Sequence, residues 1–283
     1  MVAFGQIERR SNLSREEFIE NYLKPRRPVV LTDIAHRWDA TKKWTFEYFK
    51  EEFGDIEVPI VGPNFSKPGP NYMKPEMNMK LKDYLEILQS GEKSPYRIFL
   101  WNILENVPQL ASDVSNHLIC DGWIDNFPFM FFGGKGAVTN LHYDIDCSHV
   151  FHTHFLTRKH IILFDQEQST KLYHQPFTVK SLVDPTNPDF ERYPAFKNVV
   201  GHETMLQHGE TLFIPSLWWH HIVYVDPGFS ISLRAVDSLA MQARGLWNIT
   251  RHFVVDKGLN AVMGDRWNDW KEHTAYKRAE AAI

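Results

Sequence analysis

Gly136-Ala137-Val138-Thr139-Asn140-Leu141-His142-Tyr143-Asp144 is the stretch that decides the fold, and Pro215-Ser216-Leu217-Trp218-Trp219-His220-His221 is its distant counterpart. Along a strand, side chains two apart share a face. His142 and Asp144 are therefore expected on one side and Tyr143 on the other. Around this stretch, from Pro128 to about Val236, short strand-like runs follow one another: Phe129 to Phe132, Val138 to Tyr143, His149 to Phe155, His160 to Phe164, Thr204 to Gln207, Thr211 to Ile214, His221 to Val225 and Phe229 to Leu233. Gly133-Gly134-Lys135-Gly136, His208-Gly209-Glu210 and Asp226-Pro227-Gly228 supply turn signals between several of them. Many short strands with regular turns predict a β-sandwich or barrel. His142 and His220 stand 78 positions apart, so the fold must return a late strand to the side of an early one. A double-stranded jelly roll does so.

The flanks read differently. Ser14-Arg15-Glu16-Glu17 is a capping box that opens a short helix to about Tyr22. Pro28-Val29-Val30-Leu31 and Tyr96 to Trp101 read as strands, Phe46 to Phe53 and Leu81 to Leu88 as helices, and Gly62 to Asn71 as a Pro/Gly-rich loop. After Asp237 the pattern is helical, with Leu239, Leu246, Ile249, Phe253 and Val254 at helical spacing, followed by Arg266-Trp267-Asn268-Asp269-Trp270. The expected architecture is an all-β core with helical flanks. Residues 1–237 hold mixed α/β elements and a jelly-roll core over about 96–237, and residues 238–283 form a helical extension.

Composition narrows the function. The chain has 283 residues, 43% hydrophobic and 23% charged, with a formal net charge of −4, which argues against a surface built mainly to bind phosphate backbones. Two cysteines, Cys120 and Cys147, cannot build a disulfide framework or a multi-cysteine zinc site. No apolar run approaches the roughly 20 residues of a membrane span, and the first ten residues lack the shape of a signal peptide. No membrane association is expected, and a reducing cytoplasm is the expected compartment. The fourteen histidines cluster in the β-rich half.

Two imidazoles and one carboxylate on a single face are the donors of a facial triad, which leaves metal positions open for a cosubstrate and dioxygen. His142, Asp144 and His220 are the candidate set. A bare His-x-Asp is common, and a histidine after Trp-Trp is more often a packed core residue; the joint context raises the metal reading. His220 and His221 point to opposite faces of a strand, so only one of them can be a ligand. Asp146, two beyond Asp144, is a weaker competitor because it lies farther from His142.

Taken together, Gly136 to Asp144, Lys159 to Phe164, Asn187 to Pro194 and Asn198 through Gly209-Glu210-Thr211-Leu212-Phe213-Ile214-Pro215 to Ile222 resemble the JmjC, cupin-like branch of the Fe(II)- and 2-oxoglutarate-dependent oxygenases. Within it they look most like the asparaginyl hydroxylase acting on the hypoxia-inducible factor. The similarity covers about Tyr96 to Leu233 and reaches more weakly to Arg27–Thr32. It implies His142, Asp144 and His220 as iron ligands, which selects His220 over His221. It also implies Lys159 and Thr139 as partners of the distal carboxylate of 2-oxoglutarate. A dicarboxylate chelating iron at one end leaves a charge deep in the barrel that needs a buried cation. In isolation, Lys159 would read instead as a solvated strand lysine.

There are departures. Phe99 stands where the asparaginyl hydroxylase has a tyrosine donor, and Arg234 and Val236 where it has asparagine and tryptophan. The stretch from Asp144 to Lys159 is two residues longer, which predicts a bulge or shifted register. His152 and His154, on one strand face within it, either line the pocket with Phe99 and Arg234 or are simply histidines on a polar face. The resemblance implies a dioxygenase with Fe(II) and the cosubstrate 2-oxoglutarate, with hydroxylation favoured over demethylation and a protein or peptide side chain as the favoured substrate. A tRNA or small molecule is the second reading, and a cupin-like binding module without turnover the third. The C-terminal helices are expected to pack on the barrel, either as a cap on their own chain or, as the resemblance implies, also pairing two chains into a homodimer.

Overall fold

The structure is a computed structural model that describes residues 2–65, 73–114, 119–124, 128–236 and 238–283, except the side chains of 103 and 104. Part of the Gly62–Asn71 loop and Asp237 lie outside them.

Eight strands build the core: β1 (Phe129–Gly133), β2 (Val138–His142), β3 (His149–Phe155), β4 (Lys159–Phe164), β5 (Gly201–Leu206), β6 (Thr211–Ile214), β7 (Trp219–Tyr224) and β8 (Gly228–Ala235). They form two antiparallel four-stranded sheets, ordered β5-β4-β7-β2 and β6-β3-β8-β1. That alternation is the jelly roll expected from the sequence. Phe4–Gln6 extends the first sheet at β5, while Arg97–Asn102 extends the second at β1 and Val29–Leu31 at β6.

The strand β3 runs through the middle of the larger sheet and is buried at all seven positions. Its outer face is covered by the helix opened by Ser14, whose hydroxyl accepts from Glu17 N while the Glu17 carboxylate accepts from Ser14 N. Phe18 on that helix packs edge-on to Phe213, with ring centroids 5.0 Å apart. The expected helices at Phe46–Phe53 and Leu81–Gln89 cover the other end of this sheet. There Phe49, Phe132, Phe155 and Phe229 interlock at 5.1–5.5 Å. Such pairs add about 0.5–1.5 kcal/mol each beyond burial.

The expected bulge between Asp144 and Lys159 is not in β3, which pairs with β6 and β8 in unbroken register. The longer connection is a tight turn instead: Cys147 N donates to Asp144 O at 3.2 Å, and Cys147 adopts φ 56°. The register shift lies between β2 and β7, where His142 faces His220 and Thr139 faces Ile222. Three residues of β2 thus span two of β7. Residues three apart on a regular strand point to opposite faces; the extra residue turns Thr139 and His142 to the same one.

The C-terminal segment is helical over Leu239–Thr250, Lys257–Met263 and Asp265–Glu280. It lies against the core, but through a face other than the one expected. Leu246, Phe253 and Val254 stay exposed, whereas Met241, Gly245, His252, Asp256, Trp267 and Lys271 turn inward. Asp256 explains the difference, because it accepts from Lys271 Nζ at 2.7 Å and from Trp267 Nε1 at 2.9 Å. A satisfied ion pair lets a polar face be buried. At Gly245 the helix touches the Asp144–Ser148 turn, and a Cβ there would sit 2.1 Å from Asp146 O.

Candidate metal centre

Two strands and a turn bring the triad together. His142 ends β2, His220 is the second residue of β7, and Asp144 stands in the turn after β2 rather than on the strand. One ligand atom from each lies within 4.8 Å of the others, and the two imidazole centroids are 4.1 Å apart. His142 Nδ1 is 2.8 Å from Asn140 O, and His220 Nδ1 is 3.1 Å from Trp218 O. A carbonyl can only accept, so each Nδ1 carries the proton and each Nε2 keeps its lone pair for a metal.

Electrostatics favour the ligating forms. Burial and the nearby His220 push the His142 pKa down to about 3, and burial lowers His220 as well. For Asp144 burial opposes ionisation, but Arg234 and the two histidines outweigh it and hold the carboxyl well below the usual range. Two neutral imidazoles and a carboxylate are the donor set of open ferrous sites, so these residues fit the ion.

The competing candidates separate. Asp146 is turned to Arg234 at 3.0 Å and lies outside the cluster. Arg234 also reaches Asp144 at 3.3 Å and Ser148 at 2.8 Å. His221 points away from the cavity, buried, with Nε2 3.8 Å from Asp184. Tyr143 faces outward as expected, edge-on to Trp219 at 4.9 Å.

A narrow cavity of about 40 Å³ adjoins the triad, with Phe99, Thr139, His152, Lys159 and Arg234 in its walls. Lys159 is fully buried rather than solvated. Its Nζ contacts Ser230 Oγ, lies 3.1 Å from His152 Nε2, and stands 4.1 Å from the Tyr224 ring centroid. None of these is an acid, and burial, with Arg97 adding to it, pulls the ammonium well below its ordinary value. His152 lines the cavity as expected and bonds Ser232 Oγ at 2.8 Å. His154 does not: cross-strand pairing seats it on Ser230 at 3.0 Å, one step farther along β3.

The sequence reading missed Arg97, whose Nη1 donates to Thr139 Oγ1 at 2.5 Å. The available signal was a charge two positions before Phe99 in an apolar strand. It also missed Lys180, which a β-bridge sets beside His142; nothing local announces it.

The fold and this site define a cupin-like domain of the JmjC type. The profile of the cupin-like domain family matches residues 14–235, and the chain belongs to that family. Lysine-specific demethylase 8 of Xenopus tropicalis is 30% identical over 237 residues, covering 77% of this chain and 50% of the frog protein. The human bifunctional peptidase and (3S)-lysyl hydroxylase JMJD7 is 25% identical over 245 residues, 72% of this chain and 76% of its own. The tRNA wybutosine-synthesizing protein 5 of Gallus gallus is 27% identical over 250 residues, 81% and 76% respectively. The chain thus spans about half the length of the frog relative. JmjC homologues generally use Fe(II) and 2-oxoglutarate. Among the described residues, no helix is long and apolar enough to cross a membrane.

Proposed function

We propose that this protein is an Fe(II)- and 2-oxoglutarate-dependent oxygenase that hydroxylates an amino-acid side chain in a protein or peptide. His142, Asp144 and His220 would hold the iron, and Lys159 with Thr139 would meet the distal carboxylate of 2-oxoglutarate. The observation that carries the reading is the triad beside a wholly buried lysine that, among the described residues, touches no acid. An uncompensated buried cation is costly unless a ligand supplies the counter-charge. When bound, iron and 2-oxoglutarate supply oxidative decarboxylation coupled to oxygen insertion into a C–H bond. The chain's own residues position the reactants: Asn140 O and Trp218 O fix both imidazoles, and Arg234 holds the free side of Asp144. The cavity has room for a water or two, so a dicarboxylate requires it to widen, and Phe99 and Phe131 form part of its wall. The lysyl hydroxylase named among the relatives supports a side-chain substrate, as does the resemblance to the asparaginyl hydroxylase read from the sequence. The wybutosine relative supports tRNA as the second reading.

The test is anaerobic titration with Fe(II) and then 2-oxoglutarate, following the weak visible band of the chelate. The band should form in the wild type and vanish in His142→Ala, Asp144→Ala and His220→Ala. A folded, iron-loaded sample that shows no band refutes the cosubstrate assignment. Binding of both without succinate release would leave only a binding module.

A further inference from the structure

We propose that Asp146, which lies outside the triad, is a positioning residue for the metal centre: it shares the Arg234 guanidinium with Asp144 and so sets how tightly that carboxylate holds an ion. This rests on the metal reading of the triad and goes beyond its three donors.

The network is built from the turn after β2 and from one residue of β8. Strand pairing sets Arg234 opposite Val150, near the start of β3, so its side chain runs back along the turn that carries Asp144 and Asp146. There Arg234 Nη1 donates to Asp146 Oδ1 and Oδ2 at 3.0 Å and to Ser148 Oγ at 2.8 Å, and it stands 3.3 Å from Asp144 Oδ2. Ser148 donates to the same Asp146 carboxylate, from Oγ at 3.1 Å and from N at 3.3 Å. Arg234 and Ser148 are buried and Asp146 is half-buried. The C-terminal helix fixes the turn from outside: Asn248 Nδ2 donates to Cys147 Sγ at 3.2 Å, and Gly245 makes its close approach at Asp146 O. One guanidinium nitrogen, which carries two protons, therefore faces oxygens of Asp144, Asp146 and Ser148 together. Whatever Asp146 draws from it, Asp144 does not receive.

Charge gives this sharing its consequence. A buried arginine beside a divalent ion repels it, and the carboxylate that the arginine draws on becomes a poorer donor to the ion. A second carboxylate on the same nitrogen supplies the counter-charge that a buried cation needs. Asp146 thus lets Arg234 orient Asp144 without spending its whole charge on it. With Asp146 made neutral, the guanidinium would bear fully on Asp144 and on the ion. Affinity for a divalent metal would fall, and Fe(III), with the higher charge, would be disfavoured more than Fe(II). Removing an outer partner of a metal ligand changes metal affinity by about 10- to 100-fold. Asp146 itself does not join the donor cluster, so its influence passes through Arg234.

The experiment reads the metal without turnover. Mn(II) affinity of the full chain is measured from the electron paramagnetic resonance signal of free Mn(II), and the Fe(III)/Fe(II) potential by anaerobic redox titration. Asp146→Asn should weaken Mn(II) binding at least tenfold and raise the potential, whereas Asp146→Glu, which keeps the charge, should restore both. Arg234→Gln should shift the potential the opposite way, downward. In the Arg234→Gln background, Asp146→Asn should change Mn(II) affinity by less than threefold, because the residue that transmits its effect is gone. A folded Asp146→Asn protein with wild-type affinity and potential overturns the proposal by itself, whether or not the Arg234 variants fold. So does an Asp146→Asn protein that loses only urea stability, which is a purely structural role. A tenfold loss that persists in the Arg234→Gln background also overturns it, since Asp146 would then act on the ion directly. If the wild type binds no Mn(II), the metal reading fails and takes this proposal with it; if the wild type binds and the variants do not differ, only this proposal falls.

Discussion

Acidification from about pH 7.5 to 5.5 should lower the stability of the metal-free protein by several kcal/mol, because six buried or half-buried histidines have depressed pKa values. Burial is the leading cause at each: it takes His142 to about 3 and His174 and His221 to about 4, and lowers His152, His154 and His220. In the unfolded chain the same groups titrate near 6.5, so below that pH the unfolded state binds more protons and stability falls with pH. The loss begins near 6.5 and for His142 continues to about 3. At about pH 5.5 each imidazole that stays neutral in the fold contributes a loss of about 1.4 kcal/mol. For His142, His174 and His221 those losses sum to about 4 kcal/mol, a large part of the roughly 5–15 kcal/mol that holds a domain folded. Carboxylates do not confuse the window, since their ordinary values lie below it. Urea unfolding followed by tryptophan fluorescence at pH 7.5, 6.5 and 5.5 gives the midpoints directly. Saturating Mn(II) should move the midpoint back up, because bound metal stabilises the form with neutral His142 and His220. A midpoint unchanged between pH 7.5 and 5.5 would show that these imidazoles are not buried in neutral form.

Lys159→Met keeps the stem and removes the charge; losing a charge-assisted hydrogen bond of about 1.5–3 kcal/mol should weaken 2-oxoglutarate binding about 10- to 100-fold in calorimetry, and unchanged affinity would remove Lys159 from the cosubstrate site. Phe229→Ala, which opens the aromatic cluster on Phe49, Phe132 and Phe155, should cost about 3–5 kcal/mol of unfolding free energy in denaturant titration. We propose a homodimer through the C-terminal helices, supported by exposed Leu246 (66%) and Val254 (67%). Light scattering should give twice the chain mass and Leu246→Glu/Val254→Glu the single mass, whereas a wild-type monomer at micromolar concentration ends the dimer.

Much of the fold is written locally. Strand runs, turn glycines and the capping box each act over a few residues, so their periods are readable without the rest of the chain. The spacing of His142 and Asp144 names the pair, but His142 closes β2 and it is the turn that follows which returns Asp144 to the same side. The C-terminal helices were legible as helices, but not the face they bury. Asp256 and Lys271 satisfy each other only once the turn between their helices brings them together, and so displace Leu246 and Val254 to the surface.

What the sequence alone determined was the jelly roll, the acidic and disulfide-free character, and three metal donors of the right chemistry. What the tertiary structure decided was everything that depends on two segments meeting. A register shift against β7 turns Thr139 inward beside His142, a loop strand seats Lys180 next to the same histidine, and the stacking of sheets buries Lys159 against Ser230, His152 and Tyr224. Spacing along the chain carries no record of such encounters, because they are fixed by the packing energy of the whole core.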